Sequence, residues 1–409
     1  MATATKSFEY AVRDKAGKVV RGRIEASNQA AVANRLRTMG MAPISINEVQ
    51  TTGLKREISI PGFEKKVKLK DLAVMSRQMA TMVSAGLSLL RTLAILAEQT
   101  ENPALAKVLA QVRNDVETGR SLSSAMAKHK DAFPPLMINI IRAGETGGFL
   151  EKSLLGVADN YESEVKLRAT IKSAMTYPVV VFFIAILAVV GMLLFIVPVF
   201  KNMFDGLGGE LPWATQFLVD LSALMKWLAP VLAVAAVVFS AWWSKHKNDE
   251  SIRAKVDPVK LKLPIFGALF QKVAIARFSR NFGTMMGAGV PILQALDIVG
   301  ETSGNYEIER AVKQVQESVR TGQSLSGPLA EHSVFPPMVV QMMAVGEDAG
   351  ALETMLDKIS QFYDDEVQAT TEQLTSLIEP LMIVVLGSLI GGMIVALYMP
   401  IFSVMDLVQ

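Results

Sequence analysis

Residues 77–90 read RQMATMVSAGLSLL, and residues 280–293 read RNFGTMMGAGVPIL, so one segment of the chain recurs 203 positions later. The same offset aligns TGRSLS (118–123) with TGQSLS (321–326). After a one-residue deletion, an offset of 202 aligns the FPP and GE motifs of the two copies. Several motifs that recur in one order indicate an internal duplication.

The chain contains three long apolar stretches, one at the end of each copy and one between the copies. Val179–Phe200 contains 22 residues without a charge. A helix rises about 1.5 Å per residue and needs roughly 20 residues to cross the hydrocarbon. Trp227–Trp243 is shorter, but its tryptophans stand where aromatic side chains meet lipid headgroups. With the stretch that follows Pro380, the sequence predicts membrane spans at 177–200, 226–244 and 377–405.

Basic residues predict the direction of the spans, because cytoplasmic flanks are rich in Lys and Arg. Lys172 precedes the first span and Lys245 follows the second, whereas the connecting segment FDGLGGELPWATQFLVD (204–220) has three acidic residues and no basic residue. We predict a multi-pass membrane protein with a cytoplasmic N-terminus. Residues 201–225 would be a periplasmic loop and residues 406–409 a periplasmic tail, although no Lys or Arg follows Lys358 to direct the third span.

Helical periodicity dominates each copy upstream of its span. Leu72, Met75, Met79 and Val83 recur at three- and four-residue spacing and predict one apolar stripe. Glycine, asparagine and proline turns divide each copy into five or six helices. We predict two cytoplasmic helical bundles, residues 67–176 and 270–376, with residues 245–269 as the cytoplasmic connector.

A different module precedes the duplication. FEYAVRDKAGKVVRGRIEA alternates like a hairpin with its turn at residues 15–17, a helical segment follows, and PISINEV closes as a strand. The prediction is a ββαβ module over residues 1–49 and a linker over residues 50–66. The fold class is therefore a mainly α membrane protein with duplicated helical bundles, three transmembrane helices and a small N-terminal ββαβ module.

The repeated turn, GETGGFLEKS and GEDAGALETM, supplies the candidate site. Its glycines suit a helix end, and an acid follows at the start of the next helix. A tight interhelical turn explains the pattern, and a partner contact or cation site is the alternative. The partner-contact candidates are Gly144, Glu145, Gly148, Glu151, Gly346, Glu347, Gly350 and Glu353.

Small residues also recur in the third span. Gly387 and Gly391 have the spacing that lets helices approach closely. The spacing is compatible with contact between copies, with packing inside the chain, and with chance.

The residues that several classes of protein need for their function are absent from the sequence. There is no cysteine and no GxxxxGK[ST] loop, and the three histidines have no metal-ligand spacing. The net charge of +2 gives no electrostatic basis for nucleic-acid binding. The apolar stretches Val179–Phe200, Trp227–Trp243 and Pro380–Met405 contain no Asp, Glu, Lys, Arg or His, which argues against an ion pump. We therefore expect no catalytic residues, cofactor or metal.

The ordered motifs resemble one family over the whole chain: the F proteins of type II secretion and the PilC platform proteins of type IV pilus systems. The FEYAV module, the doubled TG-x-SLS and FPP turns and the doubled GE motif carry the resemblance. It implies a non-enzymatic inner-membrane platform that couples a cytoplasmic hexameric assembly or retraction ATPase to the insertion or removal of pilin or pseudopilin subunits. It also implies other inner-membrane machine components as partners, and a homo-oligomer, with a dimer favoured. The alternative is a small repeat-built membrane transporter or channel.

Overall fold

The computed structural model describes residues 6–13, 19–26, 31–33, 42–48, 66–205, 211–247 and 249–407. The chain divides into two compact units, residues 1–64 and residues 65–409. The described part of the second unit consists of helices and short connections. Three of those helices are long and apolar enough to cross a membrane. The prediction of a mainly α membrane protein with three spans is confirmed.

Three strands form an antiparallel sheet in the first unit. They are β1 (Lys6–Arg13), β2 (Val19–Ala26) and β3 (Ala42–Glu48), arranged in the order β2-β1-β3. Of the helix predicted between β2 and β3, only residues 31–33 are described, and they are helical. The ββαβ module as a whole is not supported, because most of its helix, its turn at residues 15–17 and nearly all of its linker lie outside the described residues.

The first repeat contains six α-helices and one short 3₁₀ helix (Ala127–His129). The α-helices are α1 (Leu69–Ser84), α2 (Leu89–Gln99), α3 (Pro103–Glu117), α4 (Leu122–Met126), α5 (Pro135–Gly147) and α6 (Leu150–Gly191). The start of α3 shows how the sequence sets a boundary. The side chain of Asn102 accepts a hydrogen bond from the backbone N–H of Ala104 at 3.0 Å, and Pro103 occupies the first turn, where its missing N–H costs nothing.

A second set of six helices repeats this arrangement. Between the sets lie a short π-helical turn (Met192–Ile196), α7 (Val197–Asp205), α8 (Trp213–His246) and α9 (Glu250–Lys262). The second set is α10 (Phe266–Gly287), α11 (Ile292–Thr302), α12 (Tyr306–Arg320), α13 (Ser326–Ala330), α14 (Pro337–Asp348) and α15 (Leu352–Leu407). Asn305, 203 residues after Asn102, caps α12 in the same way and accepts from the N–H of Glu307 at 2.9 Å.

The cores of the two repeats use equivalent positions. Leu93, Leu96, Leu105 and Leu109 are at most 1% exposed in the first repeat. Their counterparts in the second repeat are equally buried: Leu296, Val299, Ile308 and Val312. Aliphatic side chains of similar volume therefore fill both cores, and the two cores join in one continuous hydrophobic cluster.

Each repeat continues into its span without a break. α6 contains Pro178 within the helix, and α15 contains Pro380 at the equivalent position. A proline removes one backbone donor, yet a long helix packed against its neighbours can continue through it. The predicted span starts at 177 and 377 therefore lie inside continuous helices. The predicted periplasmic loop 201–225 includes the end of α7 and the start of α8, and residues 206–210 lie outside the described part, as do residues 408–409 of the predicted tail.

The far ends of the three spans pack together. Leu193, Leu218 and Leu397, one from each of three segments, belong to one buried cluster. The Thr215 hydroxyl of α8 donates a hydrogen bond to the carbonyl of Ala396 on α15 at 2.5 Å. Apolar packing together with such interhelical hydrogen bonds stabilises helix association in lipid.

Gly387 and Gly391 take no part in this packing. A Cβ atom placed on either glycine would meet nothing within 4 Å. Packing inside the chain, one of the three explanations for their spacing, is thus not found.

Candidate functional site

The first glutamate of each repeated turn caps a short helix. The carboxylate of Glu145 on α5 accepts hydrogen bonds from the backbone N–H groups of Leu122 and Ser123, the latter at 2.9 Å, at the start of α4. Glu347 on α14 likewise accepts from the N–H of Leu325 at 2.7 Å, at the start of α13. Helix N-termini carry unpaired donors and a partial positive charge, so an anion stabilises them. Both carboxylates are therefore engaged inside their own repeats.

The glycines of the turn have two separate roles. A Cβ on Gly144 would lie 2.6 Å from the Cβ of Ser153, and one on Gly346 would meet a side chain of α15 at 2.9 Å, so both allow two helices to approach. Gly148 and Gly350 have φ of 77° and 63°. That left-handed conformation ends a helix and favours glycine.

The second glutamates lie in different surroundings. Glu151 is exposed in the first turn of α6, and in the described part of the chain it has neither a hydrogen bond nor an ion pair. Glu353 Oε1 lies 3.7 Å from Nζ of Lys152, so the second turn reaches α6 of the first repeat. The structure thus places Glu353 at the boundary between the repeats and Glu151 on the surface.

Two layers of polar contact join the repeats. Arg277 of α10 donates from Nε to Glu164 Oε2 of α6 at 3.0 Å, and its Nη2 lies 2.7 Å from Glu164 Oε1. One turn away, Asn160 donates to Asn281 Oδ1 at 3.0 Å, and these two amides are 5% and 8% exposed. Buried polar groups that are satisfied across an interface fix its register.

A polar cleft of about 300 Å³ lies at this junction, between α6, α10 and α15. Its charged lining consists of Lys152, Asp159, Arg280, Glu353, Asp357 and Asp364. Four carboxylates and two cations leave the lining acidic, which suits amide or cationic groups of a partner. It holds no histidine or cysteine, and its lining has no paired nucleophile and base.

One arginine position makes the same ion pair in each repeat. Arg77 Nε donates to Glu162 at 2.7 Å, and Arg280 at the equivalent position pairs with Asp364. Hydrogen bonding to the Arg77 guanidinium lowers the pKa of the Glu162 carboxyl. Burial, and then the charge of Glu164, raises the pKa of the neighbouring Tyr161 phenol.

The contact between the repeats is not symmetric. Asn160 of α6 faces α10, whereas Phe362 at the equivalent position of α15 is 44% exposed. Arg277 of α10 faces α6, whereas Val74 at the equivalent position of α1 is 49% exposed. Different surfaces of the two repeats meet, which is a heterologous contact. Within the described residues, the α1 face with Val74 and the α15 face with Phe362 are therefore not covered by the other repeat. The equivalent faces of α10 and α6 are covered.

The sequence prediction did not include these junction residues. The available signal was a difference between the aligned copies, because Asn160 aligns with Phe362 and Arg277 aligns with Val74. A polar residue in one copy opposite an apolar residue in the other marks a position with a different neighbour. Among the residues that the structure describes, no group of three His, Cys, Asp or Glu side chains could hold a metal ion.

Comparison with protein families finds two matches. The family described as "Type II secretion system (T2SS), protein F" matches residues 75–198 and again residues 278–400. Its starts and ends are displaced by the same offsets of 203 and 202 that align the repeats. The family described as "Type II secretion system protein F, N-terminal domain" matches residues 1–47.

Individual relatives cover nearly the whole chain. "Type IV pilus assembly protein PilC" of Myxococcus xanthus (strain DK1622) is 42% identical over 408 residues, 99% of this chain and 97% of the relative. The Thermus thermophilus protein of that name is 43% identical, over 97% of this chain and 98% of the relative. "Type II secretion system protein F" of Vibrio cholerae is 30% identical, over 98% of this chain and 99% of the relative.

Proposed function

The chain belongs to the type II secretion system protein F family, and from that premise we propose that it is the inner-membrane platform protein of a type IV pilus or type II secretion machine. It has no enzymatic activity of its own in this proposal. It couples a cytoplasmic assembly or retraction ATPase to pilin or pseudopilin subunits that enter or leave the membrane.

One observation carries the proposal: each helical repeat is continuous with a membrane span. α6 and α15 both begin in a bundle, at Leu150 and Leu352, and extend into the apolar stretch. A continuous helix resists bending, so a displacement of the bundle also moves the span. The polar contacts between Glu164 and Arg277 join the two bundles, so that both spans respond to one partner.

Of a type IV pilus machine and a type II secretion machine, the pilus machine is better supported. The relatives named for type IV pilus assembly are 42% and 43% identical to this chain, and the secretion relatives are 30% and 31% identical. The alignments on which these identities rest cover almost the full length of each relative.

The bundles lie in the cytoplasm and the C-terminus lies in the periplasm in this proposal. Lys245 and Lys247 end α8 on the side of the bundles, and Lys172 lies just before the first span. Basic flanks remain on the cytoplasmic side. The ATPase contact then includes the exposed end of each bundle, where Gly148, Glu151 and Gly350 are found.

A homodimer follows from the heterologous contact. The uncovered faces on α1 and α15 are counterparts of the two faces that meet inside the chain. If the α1 face of a second copy packs on the α15 face of the first copy, the contact seen between the repeats forms again between the chains. Two such contacts, one in each direction, close a ring of four repeats. Gly387 and Gly391, which have no packing partner within 4 Å, are available for close approach of a second span.

Co-purification tests the main proposal. The full-length chain in detergent is mixed with the assembly ATPases encoded near its own gene, and we expect one of them to co-elute. The exposed-end variant Glu151→Arg should weaken co-elution, and Glu117→Arg, an exposed glutamate of α3, is the control. If no such ATPase binds, while proteoliposomes of the chain conduct ions or solutes, the platform proposal is wrong and the transporter alternative is favoured.

A further inference from the structure

The start of α10 lies close to the membrane border. Leu269 of α10 belongs to a buried cluster with Leu167 of α6 and Leu374 of α15, and Phe266 packs at its margin. Leu374 precedes Pro380 by six residues on one helix, and at about 1.5 Å per residue this is about 9 Å. The connection between α9 and α10 is therefore held near the level at which the spans begin.

This connection and the adjoining ends of α9 and α10 expose large apolar side chains. Val259, Leu263, Ile265 and Phe270 are 59%, 43%, 55% and 37% exposed. Such a concentration in a short segment is unusual for a surface that faces water.

The backbone keeps one of these side chains outward. Ile265 has φ of 72° and is the one non-glycine residue with positive φ in the described part of the chain. The turn around it is tight, since the N–H of Gly267 donates to the carbonyl of Leu263 at 2.8 Å. A β-branched residue is unfavourable in this conformation, and strain of this kind often occurs at functional positions. More than half of the side chain is exposed, so burial inside the chain compensates for only part of this strain.

Basic side chains lie on the same face of α9 as Val259. Lys255, Val259 and Lys262 are spaced by four and three residues on α9, so they lie on one side of the helix. Both lysines are exposed, and in the described structure neither has an acidic partner.

The opposite side of α9 is occupied by the protein. Asp257 is buried, pairs with Lys260 at 2.8 Å and accepts from the N–H of Tyr306 at 3.0 Å. Arg253 lies 3.0 Å from Glu309 of α12. The remaining acidic groups of this segment, Asp249 and Glu250, are at the far end of α9.

We propose that this surface rests in the headgroup layer of the membrane that the chain spans. We name it the juxtamembrane patch, and it consists of Lys255, Val259, Lys262, Leu263, Ile265 and Phe270. Its apolar side chains enter the boundary between headgroups and acyl chains, and its lysines contact anionic phospholipid headgroups. Amphipathic surfaces with this composition bind lipid by burying apolar area and by attraction to anionic headgroups.

The lipid contact has a mechanical consequence. α10 begins at the patch and also carries Arg277 and Arg280, which make the contacts with α6 and α15. A patch fixed to the bilayer would therefore hold the second repeat at a set height, against which the first repeat can move. This inference depends on the membrane topology and not on the identity of the ATPase.

The test uses the absence of cysteine from the chain. Ile265→Cys and Val345→Cys are labelled with a fluorescent probe and reconstituted into phosphatidylcholine vesicles with or without phosphatidylglycerol. Val345 is the matched control: it is a β-branched residue, 58% exposed, next to the turn that starts α15. Along α15 that turn is about 40 Å from Pro380. Circular dichroism verifies that both variants fold.

We expect lipids with a nitroxide in the headgroup region to quench the probe at position 265 several-fold more than the probe at position 345. Adding Lys255→Glu and Lys262→Glu should reduce this quenching in vesicles with phosphatidylglycerol, and only slightly without it. Equal quenching at the two positions would overturn the proposal. Protection of position 265 from a water-soluble quencher without lipid quenching would also overturn it, because a protein would then be the occupant.

Discussion

Arg277 of the second repeat forms a bidentate ion pair with Glu164 of the first. Its Nε lies 3.0 Å from Oε2 of the carboxylate, and its Nη2 lies 2.7 Å from Oε1. Both side chains are largely covered, at 22% and 14% exposure. Planar bidentate pairs combine geometric specificity with a strong charge-assisted hydrogen bond. This pair is the principal charged connection between the two bundles.

Arg277→Gln should destabilise the packing of the two repeats. Removing one partner leaves a mostly buried carboxylate without its main donor, which costs roughly 1–3 kcal/mol. Arg168→Gln is the control, because Arg168 Nε also donates to Glu164 at 2.7 Å but comes from the same helix and is 58% exposed. Surface pairs of that kind contribute about 0–1 kcal/mol. Thermal unfolding in detergent by circular dichroism should show a lower midpoint for Arg277→Gln alone, and equal midpoints would contradict the assigned role.

Glu145→Gln should destabilise α4. The charged carboxylate accepts two backbone N–H bonds, and a glutamine keeps one neutral acceptor and adds a donor that faces other donors. We expect a loss of about 1–2 kcal/mol, in line with other helix caps. Faster hydrogen exchange at the amides of Leu122 and Ser123 would be the direct measurement. Glu151→Gln, in the same turn but exposed, should leave exchange unchanged; an equal effect of both variants would show that Glu145 is not a specific cap.

The sequence predicted elements where one local signal dominates. Asn102 followed by Pro103 fixes a helix start, and 22 uncharged residues from Val179 fix a span. The repeat offset also correctly indicated two similar helical bundles. The role of Glu145 could not be inferred in the same way, because its partners are backbone groups 22 and 23 residues earlier. Nothing in the local pattern distinguishes such a cap from a surface acid.

Differences between the aligned copies can mark positions at the junction, but they could not give the contact between the repeats, for a related reason. A duplicated sequence predicts two similar units, but it does not state which faces meet. Asn160 and Asn281 lie 121 residues apart, and each is an ordinary polar residue in its own helix. Only the packed structure shows that they are buried together.

Ile265→Gly should raise the stability of the isolated protein in detergent. Glycine adopts the left-handed conformation without steric strain, whereas a β-branched residue there costs roughly 1–3 kcal/mol. The greater freedom of glycine in the unfolded chain offsets about 0.4–1 kcal/mol of the gain. The unfolding midpoint should therefore rise for Ile265→Gly and change less for Ile265→Ala, which retains the Cβ. A lower midpoint for the glycine variant would mean that the isoleucine makes contacts that outweigh its strain.

Two cysteines on the uncovered faces should link copies of the chain. Inside one chain Asn160 pairs with Asn281, and the equivalent positions are Phe362 on α15 and Gln78 on α1. The double variant Gln78→Cys, Phe362→Cys should form disulfide-linked dimers on mild oxidation in membranes, detected by non-reducing electrophoresis. Each single variant should remain monomeric, because a heterologous contact never brings a position next to itself. Linking by a single variant would show a two-fold contact at that face and would contradict the ring of four repeats.

Flexible glycines placed after Lys172 should uncouple the first bundle from its span. α6 is helical on both sides of this position, so the inserted residues interrupt one continuous helix. Each glycine costs about 1 kcal/mol relative to alanine within a helix, so a run of several breaks the helix locally. Fibre assembly should then fail, whereas co-purification with the ATPase, which needs only the bundle surface, should persist.

Seven alanines at the same place form the control, since about two added turns keep the helix intact and nearly restore the direction in which its side chains face. Assembly that survives the glycines would show that force does not pass through α6, whereas loss with both insertions would indicate that the length of the helix, and not its stiffness, is the critical property.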